Sequence, residues 1–486
     1  MNKDFKSLEP QAVWRHFENI MAIPHPSEQE QALAQYLLDF AEAKGLEAMQ
    51  DEGGNVIIRK GATSGMEDRQ GIILQGHIDM VPQKSADKEF DFSLDPIEGY
   101  IDGDWVRANG TTLGADNGLG VAASLAILED EELAHGELEA LFTVNEERGM
   151  DGAFALQPDV LKGDILLNLD TEVEGELCIG CAGGLNIVAS FEYDKVESPK
   201  SDYVARRLEV SGLKGGHSGI QINEQRGNAN KLLFRLLRLT KLEILLVEVN
   251  GGSLSNAIPR EAYADLLIHN DDIELFEEQV ARFEQTTKAE YATIDSNVSV
   301  SLSEIDYPEE MIDEDVAACV VWAIAGCPDG VMKMSYTMPD LVQTSSNLAI
   351  VKTTDEAISV ELFLRSSCES EKVALADSIA SVFELADADV ECKGGNPGWL
   401  PNVESPVLKS MVAGYKSLFG EEPTVLAVHA GLECGAIGAT YPNLDMISFG
   451  PTIVSPHSPD EMAQISSVEK FYKLLRYTIE SAPKRG

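Results

Sequence analysis

Five short segments of this chain end apolar runs, or open a helix, with side chains of the kind that bind metal ions. His77 and Asp79 lie in Gly76-His77-Ile78-Asp79, and Asp116 lies in Gly114-Ala115-Asp116-Asn117-Gly118. Glu146 and Glu147 follow Asn145, Asp170 closes Asn168-Leu169-Asp170, and His457 sits in Ser455-Pro456-His457-Ser458-Pro459. Residues two apart on an extended strand face the same way, so His77 could bind a metal while Asp79 orients a ligand from behind. Two histidines with three or four carboxylates form a mixed nitrogen and oxygen donor set without thiolate, which suits zinc, cobalt or manganese. One bridging carboxylate could hold two ions about 3.5–4 Å apart, and the donor count leaves ligands for each. The chemistry open to such a set is activation of water, since even one zinc brings its water to a pKa of about 7.

Each piece alone has an ordinary explanation. A strand-end aspartate is usually a turn or cap residue. An adjacent glutamate pair is usually surface charge, although Glu146-Glu147 follows ALFTV, which reads as a buried strand. The order is the signal: His-x-Asp, Asp-Asn, Glu-Glu, Asp, then a distant His. The elements that must position these groups alternate between strand and helix. Residues 8–46 read as helical with a turn at 23–27, GIILQGHIDM (71–80) starts as a buried strand, and LGVAASLAIL (119–128) is an apolar helix. LEALFTVNEE (138–147) and GDILLNLD (163–170) are apolar runs ending in acids. This alternation predicts an α/β domain with a largely parallel sheet, whose strand-end loops converge where such sheets bind ligands.

Between about 185 and 397 the pattern changes. Strands such as YVARRLEV (203–210), LEILLVEV (242–249) and ISVELFLR (358–365) alternate with amphipathic helices near 226–240, 271–289 and 369–386. Glycine-rich breaks at Gly180–Gly184 and at GGNPGWLPN (394–402) bracket the region. The expected architecture is α/β: a mixed or parallel-sheet catalytic domain of residues 1–184 and 398–486, interrupted by an α+β lid domain of residues 185–397. A chain of 486 residues is also too long for one compact core.

Composition narrows the function. With 82 acidic and 37 basic residues the formal net charge is −45, which argues against nucleic acid and anionic membranes as partners. The first residues, MNKDFKSLEP, show no signal peptide, and no apolar run of about 20 residues suggests a membrane span. Seven scattered cysteines do not form a disulfide framework, so a reducing cytoplasm is expected. Several motifs are decoys. Gly118-Leu119-Gly120 followed by Ala123 matches a dinucleotide fingerprint, but no strand leads directly into it and Asp116 would repel a pyrophosphate. Cys178 and Cys181 form a lone CxxC with no second pair nearby. The chain has neither HExxH nor GxSxG.

The chain resembles the aminoacyl-histidine dipeptidases (peptidase D), within the metallopeptidase group that includes carnosinases, aminoacylases and glutamate carboxypeptidases. The resemblance spans nearly the whole chain. It is carried by LQGHIDMVPQK (74–84), RANGTTLGADNG (107–118), CAGG (181–184), LKGGHSG (213–219), NAIPRE (256–261), HAGLECG (429–435) and GPTIVSPHSPDE (450–461). It implies that Asp116 bridges two divalent ions, most simply zinc with cobalt or manganese as alternatives. His77 and Asp170 would complete one site, and Glu147 and His457 the other. Glu146 would be the general base toward a metal-activated water, with Asp79 holding His77. Within the lid, His217 would contact the reacting carbonyl, and Asn256 and Arg365 the substrate backbone and C-terminal carboxylate; Gly431, in the HAGLECG segment, would line the pocket. The implied substrates are short unblocked dipeptides, and the implied assembly is a homodimer formed through the lid. A related amide hydrolase that removes acyl caps or C-terminal residues, and a non-catalytic binding protein on the same fold, are the rival expectations.

Overall fold

In the computed structural model, which describes residues 4–485, the chain forms two compact units. One comprises Met1–Gly180, Trp399–Ala427 and Leu432–Gly486; the other comprises Cys181–Gly398 and Val428–Gly431. The four-residue segment Val428–Gly431 thus groups with the second unit, an excursion with no counterpart in the linear pattern.

The first unit is built on a mixed sheet. Its strands run in the order Glu47–Gln50, Val56–Lys60, Leu138–Thr143, Ile72–His77, Ile165–Asn168, Asp445–Ser448, Glu176–Cys181 and Thr424–Val428. Ile72–His77 pairs in parallel with Leu138–Thr143 on one side and Ile165–Asn168 on the other, and Asp445–Ser448 extends the parallel set. Antiparallel pairs lie outside this centre. Central parallel strands are covered on both faces and therefore read as continuous apolar runs; Ile72–His77, Leu138–Thr143 and Ile165–Asn168 are buried at every position. The helix Ala115–Glu129 is apolar all round and nearly all of it is buried, as expected for a helix packed within a core. The N-terminal region forms two helices, Gln11–Met21 and Gln31–Lys44, on either side of the turn.

The second unit is an antiparallel sheet with helices. Its strand order is Ser299–Glu304, Tyr203–Ser211, Ala262–His269, Ile244–Gly251, Val342–Thr353, Ala357–Ser366, Gly183–Glu192 and Asp389–Asn396, with Gly330–Met334 also paired to Val342–Thr353. The helices Ala229–Leu239, Ile273–Glu290, Glu314–Gly326 and Glu369–Glu384 bury apolar side chains, including Phe234, Phe276 and Phe383, in the same core as the sheet's Phe191. Ala357–Ser366 shows the alternation of a strand with one buried face, until Leu364, Arg365 and Ser366 are all buried. There the second face of the sheet is covered by the loops carrying Ser218 and His429. Among the described residues no helix is long and apolar enough to cross a membrane.

Candidate functional site

In the first unit the parallel strands end together, and the five segments with metal-binding side-chain types converge there. His77 is the last residue of its strand and is 1% exposed. Its Nε2 lies 3.0 Å from Asp116 Oδ1 and 3.4 Å from Asp170 Oδ1. The other oxygen of Asp116 lies 3.2 Å from His457 Nε2, which is itself 2.9 Å from Glu147 Oε1. One carboxylate therefore presents an oxygen to each of two imidazoles. Donor atoms of His77, Asp116 and Asp170 lie within 4.8 Å of one another, as do those of Asp116, Glu147 and His457. A third such group joins His77, Glu146 and Glu147.

Asp79 does more than back His77. Its side chain is 3.4 Å from His77 Nδ1, while its carboxylate accepts Ser27 Oγ at 2.8 Å and the backbone N–H groups of Glu146 at 2.9 Å and Glu147 at 3.2 Å. It thus fixes the turn that separates two adjacent glutamates. Asn145 enters that turn at φ +54°, which aims the next two side chains out of the strand's alternation. Asn117 joins the Asp116 and Asp170 loops: its Nδ2 donates to Leu169 O at 2.7 Å and to Asp170 Oδ1 at 2.6 Å. A side chain on Gly76 or Gly120 would meet Asn117 Oδ1 at 2.2 and 2.4 Å, so both glycines make room for this amide.

The second unit gathers the remaining predicted residues. The short strands Gly216–His217 and Ala257–Ile258 pair, and Ser218 N donates to Asn256 O at 2.8 Å, which sets the His217 loop against Asn256. Arg365 Nη2 lies 3.4 Å from His217 Nε2, its Nε donates to Ser218 Oγ at 3.4 Å, and its guanidinium lies 4.6 Å from the Phe363 ring. The side chain is buried, yet no carboxylate among the described residues pairs with it, and burial alone pushes its pKa down to about 10. Gly431 follows His429, whose Nε2 is 2.7 Å from Ser345 Oγ; Ser345 is the cross-strand partner of Arg365.

Residues 73–481 match peptidase family M20/M25/M40. The chain belongs to this family. This M20 chain is 42% identical over 484 residues to the cytosol non-specific dipeptidase of Escherichia coli (strain K12), covering 99% of this chain and all of that one. Its fold superposes on the aminoacylhistidine dipeptidase of Vibrio alginolyticus with a TM-score of 0.96 at 42% identity, covering 100% of this chain and 99% of that chain. An aminopeptidase from Bacillus cereus, at 14% identity and a TM-score of 0.57 over 97% of this chain and 98% of that one, shares the fold.

The electrostatics of this M20 site are those of crowded carboxylates. Burial, reinforced by the charges of Asp170, Glu433 and Glu147, pushes the Glu146 carboxyl up to about 9. Burial likewise raises Asp170 to about 6, Glu433 to about 7 and Glu172 to about 8. The carboxylates of Asp116 and Glu147 beside it raise His457 to about 10. For His77 burial opposes charge, but Asp170, Asp116 and Asp79 prevail and its pKa rises. Asp116 is driven the other way: burial resists, and His457 and His77 hold its carboxylate ionised.

Several positioning groups escaped the sequence reading. Glu433, 1% exposed, accepts Gln75 Nε2 at 2.6 Å and Thr143 Oγ1 at 2.9 Å. Asn168 Nδ2 donates to Gln75 Oε1 at 2.5 Å, so a polar layer lies one alternation beneath His77 and Asp170. Period two pointed back from His77 to Gln75, but Glu433 is remote in sequence. The contacts that Ser27, His429, Ser345 and Glu461 make with these segments were likewise not foreseen.

Proposed function

We propose that this chain is a two-metal dipeptidase that cleaves short peptides with free termini. The observation that carries the reading is Asp116, whose two oxygens face His77 and His457 at 3.0 and 3.2 Å. The donor set fits divalent ions on two counts. Glu147 Oε1 is buried without a hydrogen bond, although His457 Nε2 stands 2.9 Å away, a geometry of two donors meeting rather than of one bonding the other. The raised carboxyls around Asp116 also describe a pocket short of positive charge. His77 and Asp170 would hold one ion, Glu147 and His457 the other, with Asp116 shared. Zinc is the natural occupant of this nitrogen and oxygen set, with cobalt or manganese as substitutes.

Bound divalent ions supply Lewis acidity, activating water and polarising the scissile carbonyl. Glu146 supplies the base. Cations held by the neighbouring carboxylates would offset the charges of Asp170 and Glu147 that push Glu146 up, leaving it ionised and able to accept a proton from the attacking water and deliver it to the leaving amine. Asp79 keeps this division of labour by holding the backbone of Glu146 and Glu147. Arg365, buried without a carboxylate partner, supports recognition of a substrate carboxylate, with His217 and Asn256 on the same substrate and Gly431 lining its pocket. A cytoplasmic location accords with the cytosolic relative. A homodimer formed through the second unit belongs to the same proposal, and an exposed Trp322 on its helix Glu314–Gly326 is the kind of residue such an interface covers.

Metal removal is the direct test. Chelation is expected to abolish hydrolysis of unblocked dipeptides, and zinc, cobalt or manganese to restore it, with elemental analysis of active protein near about two ions per chain. Full activity in exhaustively stripped protein overturns the proposal. A panel of free dipeptides against N-acylated amino acids separates a dipeptidase from a deacylase of the same fold. A second expectation concerns Gly219, where an added Cβ would meet His429 O at 2.2 Å, Arg365 Nε at 3.0 Å and His217 Cε1 at 3.1 Å. Gly219→Ala should displace these groups at a cost of about 1–3 kcal/mol. It should raise KM for dipeptides while metal content, measured on the same samples, stays as in the parent.

A further inference from the structure

The segment that carries His457 also carries Glu461, a buried carboxylate that touches none of the proposed ligand side chains. Its two oxygens accept four consecutive backbone N–H groups: Leu113 at 2.6 Å, Gly114 at 3.0 Å, Ala115 at 2.8 Å and Asp116 at 3.3 Å. These donors open the helix Ala115–Glu129, whose N-cap, Gly114, has no side chain to satisfy them. Asp116 and Asn117 depart from helical geometry there, at φ −84°, ψ 108° and φ −105°, ψ 29°. That departure turns Asp116 toward the two histidines and Asn117 toward Asp170. On the other side, Ser455 and His457 both adopt left-handed backbone, at φ +55° and +58°, and His457 is exposed. Little besides its proposed ligand partners holds the imidazole, whereas Glu461 is 2% exposed and anchored four times.

We infer that Glu461 is a positioning residue of the metal centre, clamping the backbone of the bridging Asp116 to the loop that supplies His457. The inference rests on the metal-ligand assignment proposed above. The two ligands come from segments over 300 residues apart in sequence, and the clamp sets their separation from the backbone side. Glutamine at this position keeps the size but replaces one acceptor oxygen with an amide that faces N–H donors. The ligands would all remain, with their mutual geometry loosened.

The test compares Glu461→Gln with Glu139→Gln. Glu139 is also buried in this unit and also accepts two backbone N–H groups, from Lys162 at 2.7 Å and Gly163 at 2.8 Å, together with Arg59 Nε at 2.9 Å. It lies at the start of the strand Leu138–Thr143, whose far end leads to Glu146. Metal-stripped parent and variants are titrated with Co²⁺ against a chromophoric chelator, and the visible absorption of the bound cobalt is recorded. The parent should bind about two ions, while Glu461→Gln should lose about 10- to 100-fold in affinity and show an altered cobalt spectrum. Glu139→Gln should melt at lower temperature yet bind cobalt as the parent does. Unchanged affinity and spectrum in Glu461→Gln, or an equal loss in both variants, overturns the clamp. If the parent itself binds no cobalt, the ligand assignment fails first. If Glu461→Gln does not fold, Glu461→Asp, which keeps the charge but retracts the acceptors, takes its place under the same criteria.

Discussion

Glu146→Gln is expected to retain both metals and to bind dipeptide, yet to lose turnover by about 10²–10⁴-fold, and by more if the same carboxyl protonates the leaving amine. The neighbouring change should behave differently. Glu147 shares a donor group with Asp116 and His457, and its Oε1 stands 2.9 Å from His457 Nε2. Glu146 enters only the group formed with His77 and Glu147. Glu147→Gln would therefore remove one of the proposed anionic ligands, and metal occupancy should fall together with rate. Metal content and kcat must be measured on the same samples. A Glu146→Gln protein that loses a metal while Glu147→Gln keeps both reverses the two roles, and near-normal turnover in Glu146→Gln removes the proposed base.

Arg365→Ala should raise the barrier for dipeptides with a free carboxylate by about 2–4 kcal/mol, roughly 30- to 900-fold in kcat/KM. Peptide amides should suffer far less. The physical reason is that a buried guanidinium needs a counter-charge. Here it has hydrogen-bonding contacts to Ser218 and His217 at 3.4 Å and the face of Phe363, but no acid among the described residues. Arg365→Lys keeps the charge and loses the planar fork, so it should recover only part of the loss. Equal losses on acids and amides would instead mark Arg365 as a structural support for the His217 loop, and thermal unfolding of the variant would then show it.

Much of this was legible in the chain itself, for reasons that are local. Ile72–His77 reads as a buried strand because a central parallel strand is apolar on both faces, and the helices Ala229–Leu239 and Glu369–Glu384 follow from their periodicity. His77, Asp116, Glu147, Asp170 and His457 are recognisable as a set because each lies where an apolar element gives way to a loop, so type and place are both encoded within a few residues. Arg365 stood out for the same reason, as a charge on an apolar strand. What tertiary structure alone decided are the relations between distant segments. Periodicity carries no information about which loop meets which, so nothing near Leu113–Asp116 announces that their N–H groups are answered by Glu461. Nor does the sequence around Thr143 announce Glu433, or that around Arg365 the packing of His429 against Ser345. Asp79 shows the boundary most sharply: its spacing from His77 marks it as a support, while its grip on the backbone of Glu146 and Glu147 exists only because strand pairing brings Thr143 beside His77.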